Sequence, residues 1–363
     1  MAEELRNIYN EQFIKSLSTF IKEEYQNFDC TLFESLIYDD SWNELPLKRR
    51  MRHITSCLYE TLPKDYDEAI AILRAVAPRV NDSLAGIIFP DYVEVYGLEK
   101  WNLSMDALEF FTKYSTSEFA VRAFVIKNQS AMIEQFLIWS RSDNEHVRRL
   151  ASEGSRPRLP WGISLVNLKQ DPSPILPILE NLKEDTSLYV RKSVANNLND
   201  ISKDHPDAVI KIAENWNGQK EVTNWIIKKG LRTLLKKGNE QALELVGIKR
   251  NENIHVLNFT VGQTEVKIGD YFSYSFDLQS NDNQSRKIRI EYIINYVKAN
   301  GKLSPKQFKI SEIILSPGEL KSYKRNHNFK DLSTRKHYPG KHAVSVIING
   351  EVKATAEFSV ISM

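Results

Sequence analysis

The sequence predicts two domains of different class, an all-α array of helices over residues 1–250 and an all-β sandwich over residues 251–363. Three observations carry this. The chain has 363 residues, about twice the length of a usual domain, and at 42% hydrophobic each half can bury a core. The apolar spacing changes from a helical to an alternating period near Ile248–Asn253. The charge changes with it: residues 251–363 hold 16 Lys and Arg against 11 Asp and Glu, and residues 1–250 hold 33 against 36. The total of +2 therefore sums a helical half at −3 and a strand half at +5. A near-neutral total argues at first against a nucleic-acid binder, but it conceals two unlike parts.

In the first half, apolar residues recur at i, i+3, i+4 and i+7, as in Phe13, Leu17, Phe20, Ile21 and in Ala69, Ile72, Leu73, Val76. Helical segments are separated by stop signals at Pro63, Pro78, Pro90, Gly154, Pro160 and Gly218. A Val-Arg unit repeats at Val121-Arg122, Val147-Arg148 and Val190-Arg191, each preceded by a capping candidate, Ser117, Asn144 or Thr186. A degenerate fourth copy lies around Asn224–Lys229. Helix pairs that cannot bury their apolar faces alone stack on their neighbours, so the repeat predicts a HEAT-like-repeat solenoid. An ordinary helical bundle is the plainer alternative.

The second half alternates: Ile254, Val256, Phe259; Phe272, Tyr274, Phe276, Leu278; Ile288, Ile290, Tyr292, Ile294, Tyr296. Turn signals at Asn281–Asn283, Asn300-Gly301, Ser316–Gly318, Pro339-Gly340 and Asn349-Gly350 divide it into roughly seven runs. That number and spacing predict an immunoglobulin-like sandwich without the paired cysteines of antibody domains. Cys30 and Cys57 lack Cys-x-x-Cys spacing, which excludes a disulfide scaffold or zinc finger and makes the cytoplasm the expected compartment. The longest apolar run is Leu84–Phe89, so no membrane-spanning helix is expected, and Met1–Phe13 reads as acidic and helical rather than as a leader.

Chemistry concentrates between Ser117 and Asp200. The segment from His146 to Trp161 holds Arg148, Arg149, Arg156 and Arg158, the carboxylate Glu153 and Trp161, broken by Gly154, Pro157 and Pro160. Arg149 and Glu153, four apart, share a helix face, and a surface ion pair is their bland reading. Beyond Glu153 the helix cannot continue normally, so Arg156, Arg158 and Trp161 fall on a stiffened loop. Planar guanidinium donors on such a loop suit phosphate, and a tryptophan beside them can stack on a base or sugar. A carboxylate in a basic site weakens phosphate binding unless it serves another purpose.

The segment Glu153-Gly-Ser-Arg-Pro-Arg-Leu-Pro-Trp161-Gly, preceded by Val-Arg-Arg, resembles the signature of the AlkC branch of the AlkC/AlkD DNA glycosylases. The resemblance extends to the order of helical array and immunoglobulin-like domain. It implies a monofunctional DNA-repair glycosylase that removes cationic N3-methylated bases, chiefly 3-methyladenine, from duplex DNA. It also implies a pocket lined by three carboxylates and an aromatic residue, which fall here at Glu118, Glu153, Asp200 and Trp161. Kinked DNA with the lesion exposed but not extruded is part of the same implication. Fixed anions would stabilise an oxocarbenium-like transition state and position water, while Trp161 would offer its ring face. The expected DNA-binding residues are Arg149, Arg156, Arg158, Arg191, Lys192, Lys324 and Arg325.

No metal is expected, since no His-Glu-x-x-His spacing occurs, and no cofactor, since neither a P-loop nor Gly-x-Gly-x-x-Gly occurs. His337 and His342 straddle the Pro339-Gly340 turn. The expected partner is double-stranded DNA containing alkylated bases, with no membrane and no obligate protein partner, and the expected state is a monomer. The competing class is a non-catalytic HEAT-repeat DNA- or protein-binding scaffold.

Overall fold

In the computed structural model, which describes residues 5–250, 252–332 and 335–362, sixteen α-helices end at Leu245 and eight strands follow from Ile254. Met1–Glu4 of the acidic N-terminal segment and Asn251 at the expected boundary lie outside the described residues. By packing the chain forms two compact units. One reaches to His205 and includes Gly218–Gly230; the other holds Pro206–Asn217 and the described residues from Leu231 onward.

In the first unit, side-chain caps start six of the helices. Asn10, Asp29, Asp65, Asn128, Asn144 and Ser187 each accept a backbone N–H of the following turn. The buried stripes follow the helical period with small shifts: Ile14, Leu17 and Ile21 are buried while Phe13 and Phe20 are half-buried, and Ile70 rather than Ile72 faces inward. Pro90 does not end a helix. It lies in the first turn of Ile88–Tyr96, where its missing N–H has no partner to lose.

Each helix packs on others close in sequence. Glu145–Gly154 lies between Gln129–Trp139 and Leu188–Ile201, and the latter packs on Glu221–Gly230. Of the capping candidates, Asn144 caps its helix. Ser187 does so in place of Thr186, and Ser117 instead donates to the Leu108 carbonyl.

In the second unit, one sheet has the order β1-β3-β6 (Ile254–Val261, Tyr271–Ser280, Leu320–Asn328). The other has β2-β8-β7-β4-β5 (Glu265–Lys267, Glu351–Ile361, Gly340–Ile348, Arg286–Val297, Leu303–Leu315). The strand beyond the expected seven is β2, three residues paired parallel with β8. Phe272, Tyr274, Phe276 and Leu278 of β3 share one core with Ile288, Ile290 and Ile294 of β4 and Val344 and Val346 of β7. The alternation of β1 breaks between Val256 and Phe259 because Asn258, at φ +51°, forms a bulge.

The β7–β8 hairpin turns on Asn349 and Gly350, both at positive φ. A Cβ on Gly350 would stand 2.5 Å from Gly238 Cα, so this turn needs glycine for a close backbone approach as well as for its conformation. That contact ties the Arg232–Lys236 and Glu240–Leu245 end of the helical stretch to the sandwich.

Two polar groups are buried in the sandwich. Arg289 bonds Glu291 at 2.6 Å and Glu312 at 3.0 Å, and Lys309 bonds Glu312 at 2.8 Å. His327, His337 and His342 crowd around Tyr296, with His327 between the hydroxyls of Tyr292 and Tyr296. Burial pushes His327 down to about 4 and also lowers His337 and His342.

Candidate active site

The three acids singled out in the sequence come from separate segments. Glu118 lies in the turn before the helix Val121–Lys127, Glu153 at the end of Glu145–Gly154, and Asp200 at the end of Leu188–Ile201. They meet in one chain of alternating charge. Arg149 pairs with Glu118 and lies 3.7 Å from Glu153; Arg156 bonds Glu153 and, at 2.8 Å, Asp200; Lys203 closes the far end at 2.9 Å from Asp200. Ser193 donates to Glu153 Oε2 at 2.6 Å and Thr116 to Glu118 Oε2 at 2.9 Å. Burying this much charge is tolerable only because each member has an opposite neighbour. Burial works against the charge of Arg156, but Glu153 and then Asp200 outweigh it and hold the guanidinium above its usual range.

The two ends of the chain differ. Glu153 and Asp200 each have both oxygens bonded, and Asp200 is 1% exposed. Glu118 is at the surface edge, with both its bonds on Oε2; among the described residues no donor is bonded to Oε1. This is the oxygen open to a substrate or a water. Tyr189, half-exposed, covers the same end, with the Arg149 guanidinium 5.1 Å from its ring.

Trp161 follows Pro160 in a left-handed conformation, φ +63°, and the residue is 60% exposed. A non-glycine residue there is held by its surroundings. Lys48 Nζ donates to its carbonyl at 2.7 Å and also lies over the ring of Phe119, the residue after Glu118. Trp161 and Phe119 line one small apolar pocket with Tyr9, Met51, Leu84 and Ile87.

The arginines are placed differently from expectation. Arg149 and Arg156, expected at phosphates, spend their guanidinium groups on the acids, and Arg156 is buried. Arg158 makes a two-pronged, exposed pair with Asp204 at 2.9 and 2.6 Å. Arg191 donates to the carbonyls of Asp185 and Thr186, as Arg148 does to those of Ser142 and Asp143. The repeating Val-Arg unit is thus a device for closing the turn before its own helix. Lys192 is exposed on Leu188–Ile201, and Lys324 and Arg325 are exposed on β6.

Arg122 breaks the repeat. Fully buried, it donates to the carbonyls of Gly154 at 3.2 Å, Arg156 at 2.9 Å and Ile163, all on the loop after Glu153. The sequence marked Arg122 only as a repeat position. Its register with Glu118, four residues earlier, was the available signal for something more. Thr116, Ser193, Lys203 and Tyr189 carried no signal in the sequence, since each is a common residue brought in by packing.

A family model described as DNA alkylation repair enzyme matches residues 51–234, just over half of the chain. The chain belongs to that family. A second model, described as the C-terminal Ig-like domain of an uncharacterised protein YhaZ, matches residues 255–362. Over 357 residues the chain is 54% identical to the uncharacterized protein YhaZ of Bacillus subtilis (strain 168), covering 98% of this chain and 99% of that protein. It is similar to the solved structure of the Pseudomonas fluorescens alkylpurine DNA glycosylase AlkC bound to DNA containing an abasic site analog. The TM-score is 0.96 at 38% identity, over 99% of this chain and 100% of that one.

As a DNA alkylation repair enzyme, the protein has the expected helical array followed by an Ig-like sandwich. Among the described residues, no helix is long and apolar enough to cross a membrane, and no group of three or more His, Cys, Asp or Glu is placed to hold a metal ion.

Proposed function

We propose that the protein is a monofunctional glycosylase that hydrolyses the N-glycosidic bond of cationic N3-methylated bases, chiefly 3-methyladenine, in duplex DNA. The observation that carries this is the open Glu118 Oε1 at one end of a buried chain that fixes two further carboxylates. A base already positive needs little protonation to leave. The C1′–N bond breaks with its electron pair returning to the base, which neutralises the cation, and C1′ becomes oxocarbenium-like. Glu118 takes a proton from the water whose oxygen bonds C1′, and Glu153 and Asp200 stand as fixed anions. Arg149 and Arg156 keep these acids rigid, so no reorganisation is needed when the sugar becomes positive. Trp161 presents an electron-rich face to the sugar or lesion.

Phosphate contact belongs on this reading to Lys192, Lys324 and Arg325, whose charges are exposed. Arg158 joins them by trading its exposed partner Asp204 for a phosphate, an exchange that costs little. Kinship with a DNA alkylation repair family, and with AlkC in complex with abasic-site DNA, supports a DNA substrate. We place the protein in the cytoplasm as a monomer.

The test is release of free 3-methyladenine from methylated duplex DNA by the purified chain, read by mass spectrometry. Glu118→Gln lowers the single-turnover rate by roughly 100-fold while binding of abasic-site DNA is kept. DNA binding without base release by the wild type would instead make the protein a scaffold.

A further inference from the structure

We propose that Arg122 is a positioning residue of the acid site: its guanidinium fixes the loop 154–163, and with it Glu153 and Trp161, in register with Glu118. This rests on the glycosylase reading above. The loop leaves the helix of Glu153 at Gly154 and passes through Arg156 and Trp161 to Ile163. Gly154 and Arg156 near its beginning and Ile163 at its end each give a carbonyl to the one side chain of Arg122. Glu118 stands four residues before Arg122, in the turn that leads into the helix of Arg122. One guanidinium thus joins the element of one acid to the loop that follows the second.

The loop is shaped to receive it. A Cβ on Gly162 would meet Leu159 Cδ2 at 3.0 Å and Arg122 Cδ at 3.1 Å, so the backbone beside Trp161 lies directly against the arginine stem. Trp161 itself is left-handed, a conformation that persists only where neighbours over-determine it. The equivalent arginines Arg148 and Arg191 close the turns before their own helices; Arg122 alone of the three reaches forward to the acid loop.

Arg122 Nη2 is buried with no partner among the described residues, an expensive arrangement for a residue whose only task is to fill space. Burial, reinforced by Arg156, pushes its guanidinium down to about 10 against the pull of Asp200, Glu118 and Glu153. It therefore stays cationic at neutral pH, within electrostatic reach of all three acids.

Arg122→Lys keeps the charge but offers a single nitrogen where a fork spans three carbonyls. In the full chain it lowers kcat for 3-methyladenine release roughly tenfold to 100-fold, with KM and abasic-site DNA binding within about threefold of wild type. Amide exchange in residues 154–163 rises roughly tenfold or more while that of Glu11–Glu24 stays as in the wild type. Gly162→Ala displaces the same contact from the loop side and lowers kcat in the same direction, which keeps the test open if Arg122→Lys unfolds. Unchanged kcat in both variants, a loss carried by KM, or unaltered loop exchange overturns the proposal. Absence of base release by the wild type would sink the glycosylase reading alone, since loop exchange still decides whether Arg122 holds the loop.

Discussion

Both units bury a chain of alternating charges, and the two chains differ in how they are built. In the sandwich, Glu291, Arg289 and Glu312 come from the paired strands β4 and β5 and are closed by Lys309. In the helical unit, Glu118, Arg149, Glu153, Arg156, Asp200 and Lys203 come from two helices, the loop between them, the turn after the second and a turn well before the first. Local pairing on a sheet needs nothing beyond the register to explain it. A chain gathered from distant segments, with one carboxylate oxygen left open at its edge, costs far more ordering entropy, and that cost points to chemistry. A buried ion pair is therefore no mark of a site by itself, nor is a sealed unpaired oxygen such as Glu291 Oε2; assembly from distant segments with an open end at the edge is.

The largest expected effect comes from cutting the sandwich chain. Arg289→Met leaves Glu291, which is fully buried, without its cation, and should destabilise the protein by about 3–5 kcal/mol in calorimetry. Base release per folded molecule should stay at the wild-type rate. A fall in that rate comparable to the loss from Glu118→Gln would mean that the two chains are not functionally distinct.

The division into helices and strands was legible because periodicity changes at one place, and even the β1 bulge left its trace as a three-residue step between Val256 and Phe259. Glu153 was singled out by the signature segment, and Glu118 and Asp200 only by what the wider family resemblance implies. What was hidden is where the arginines point. Arg156 follows Glu153 by three residues and looks in sequence like a loop cation facing solvent, but Asp200 draws it inward from 44 residues away. Arg122, Arg148 and Arg191 share one local pattern, but Arg148 and Arg191 bond carbonyls of their own turns, Arg148 also pairs with Asp185, and Arg122 bonds the distant loop after Glu153. Local sequence sets the residue type and helix register; the partner is a long-range property. Pro90 shows the same limit on a smaller scale, since a proline punctuates a helix from either side.

A second difference concerns protons. The acids of the helical chain are paired, whereas His327, His337 and His342 are buried neutral beside Arg335, which disfavours the protonated form of His327 and His337. His327 is held near 4 while an unfolded histidine titrates near about 6.5. Its folded form is the poorer proton acceptor, so stability is complete above about pH 6.5 and falls as the pH drops toward 4. At pH 5 the loss from His327 is roughly 2 kcal/mol. Calorimetry of the full chain at pH 7 and pH 5 should show it, and His327→Gln should reduce the difference. An equal loss in the variant would assign the acid sensitivity to other groups.

The smallest effect tests where the attraction for DNA resides. Both buried chains are neutralised internally, so neither supplies free positive charge to a polyanion, although between them they use Arg149, Arg156 and Arg289. The sandwich's balance of +5 lies instead on residues such as Lys324 and Arg325, both exposed on β6. If each holds one phosphate, Lys324→Ala with Arg325→Ala should lower the slope of log K against log salt by about 1.8, and Lys192→Ala by about 0.9. Fluorescence anisotropy with abasic-site duplex across a salt series measures both. The wild-type slope in the double variant would make β6 a spectator, and the exposed cations of the helical unit would then have to account for the whole salt dependence.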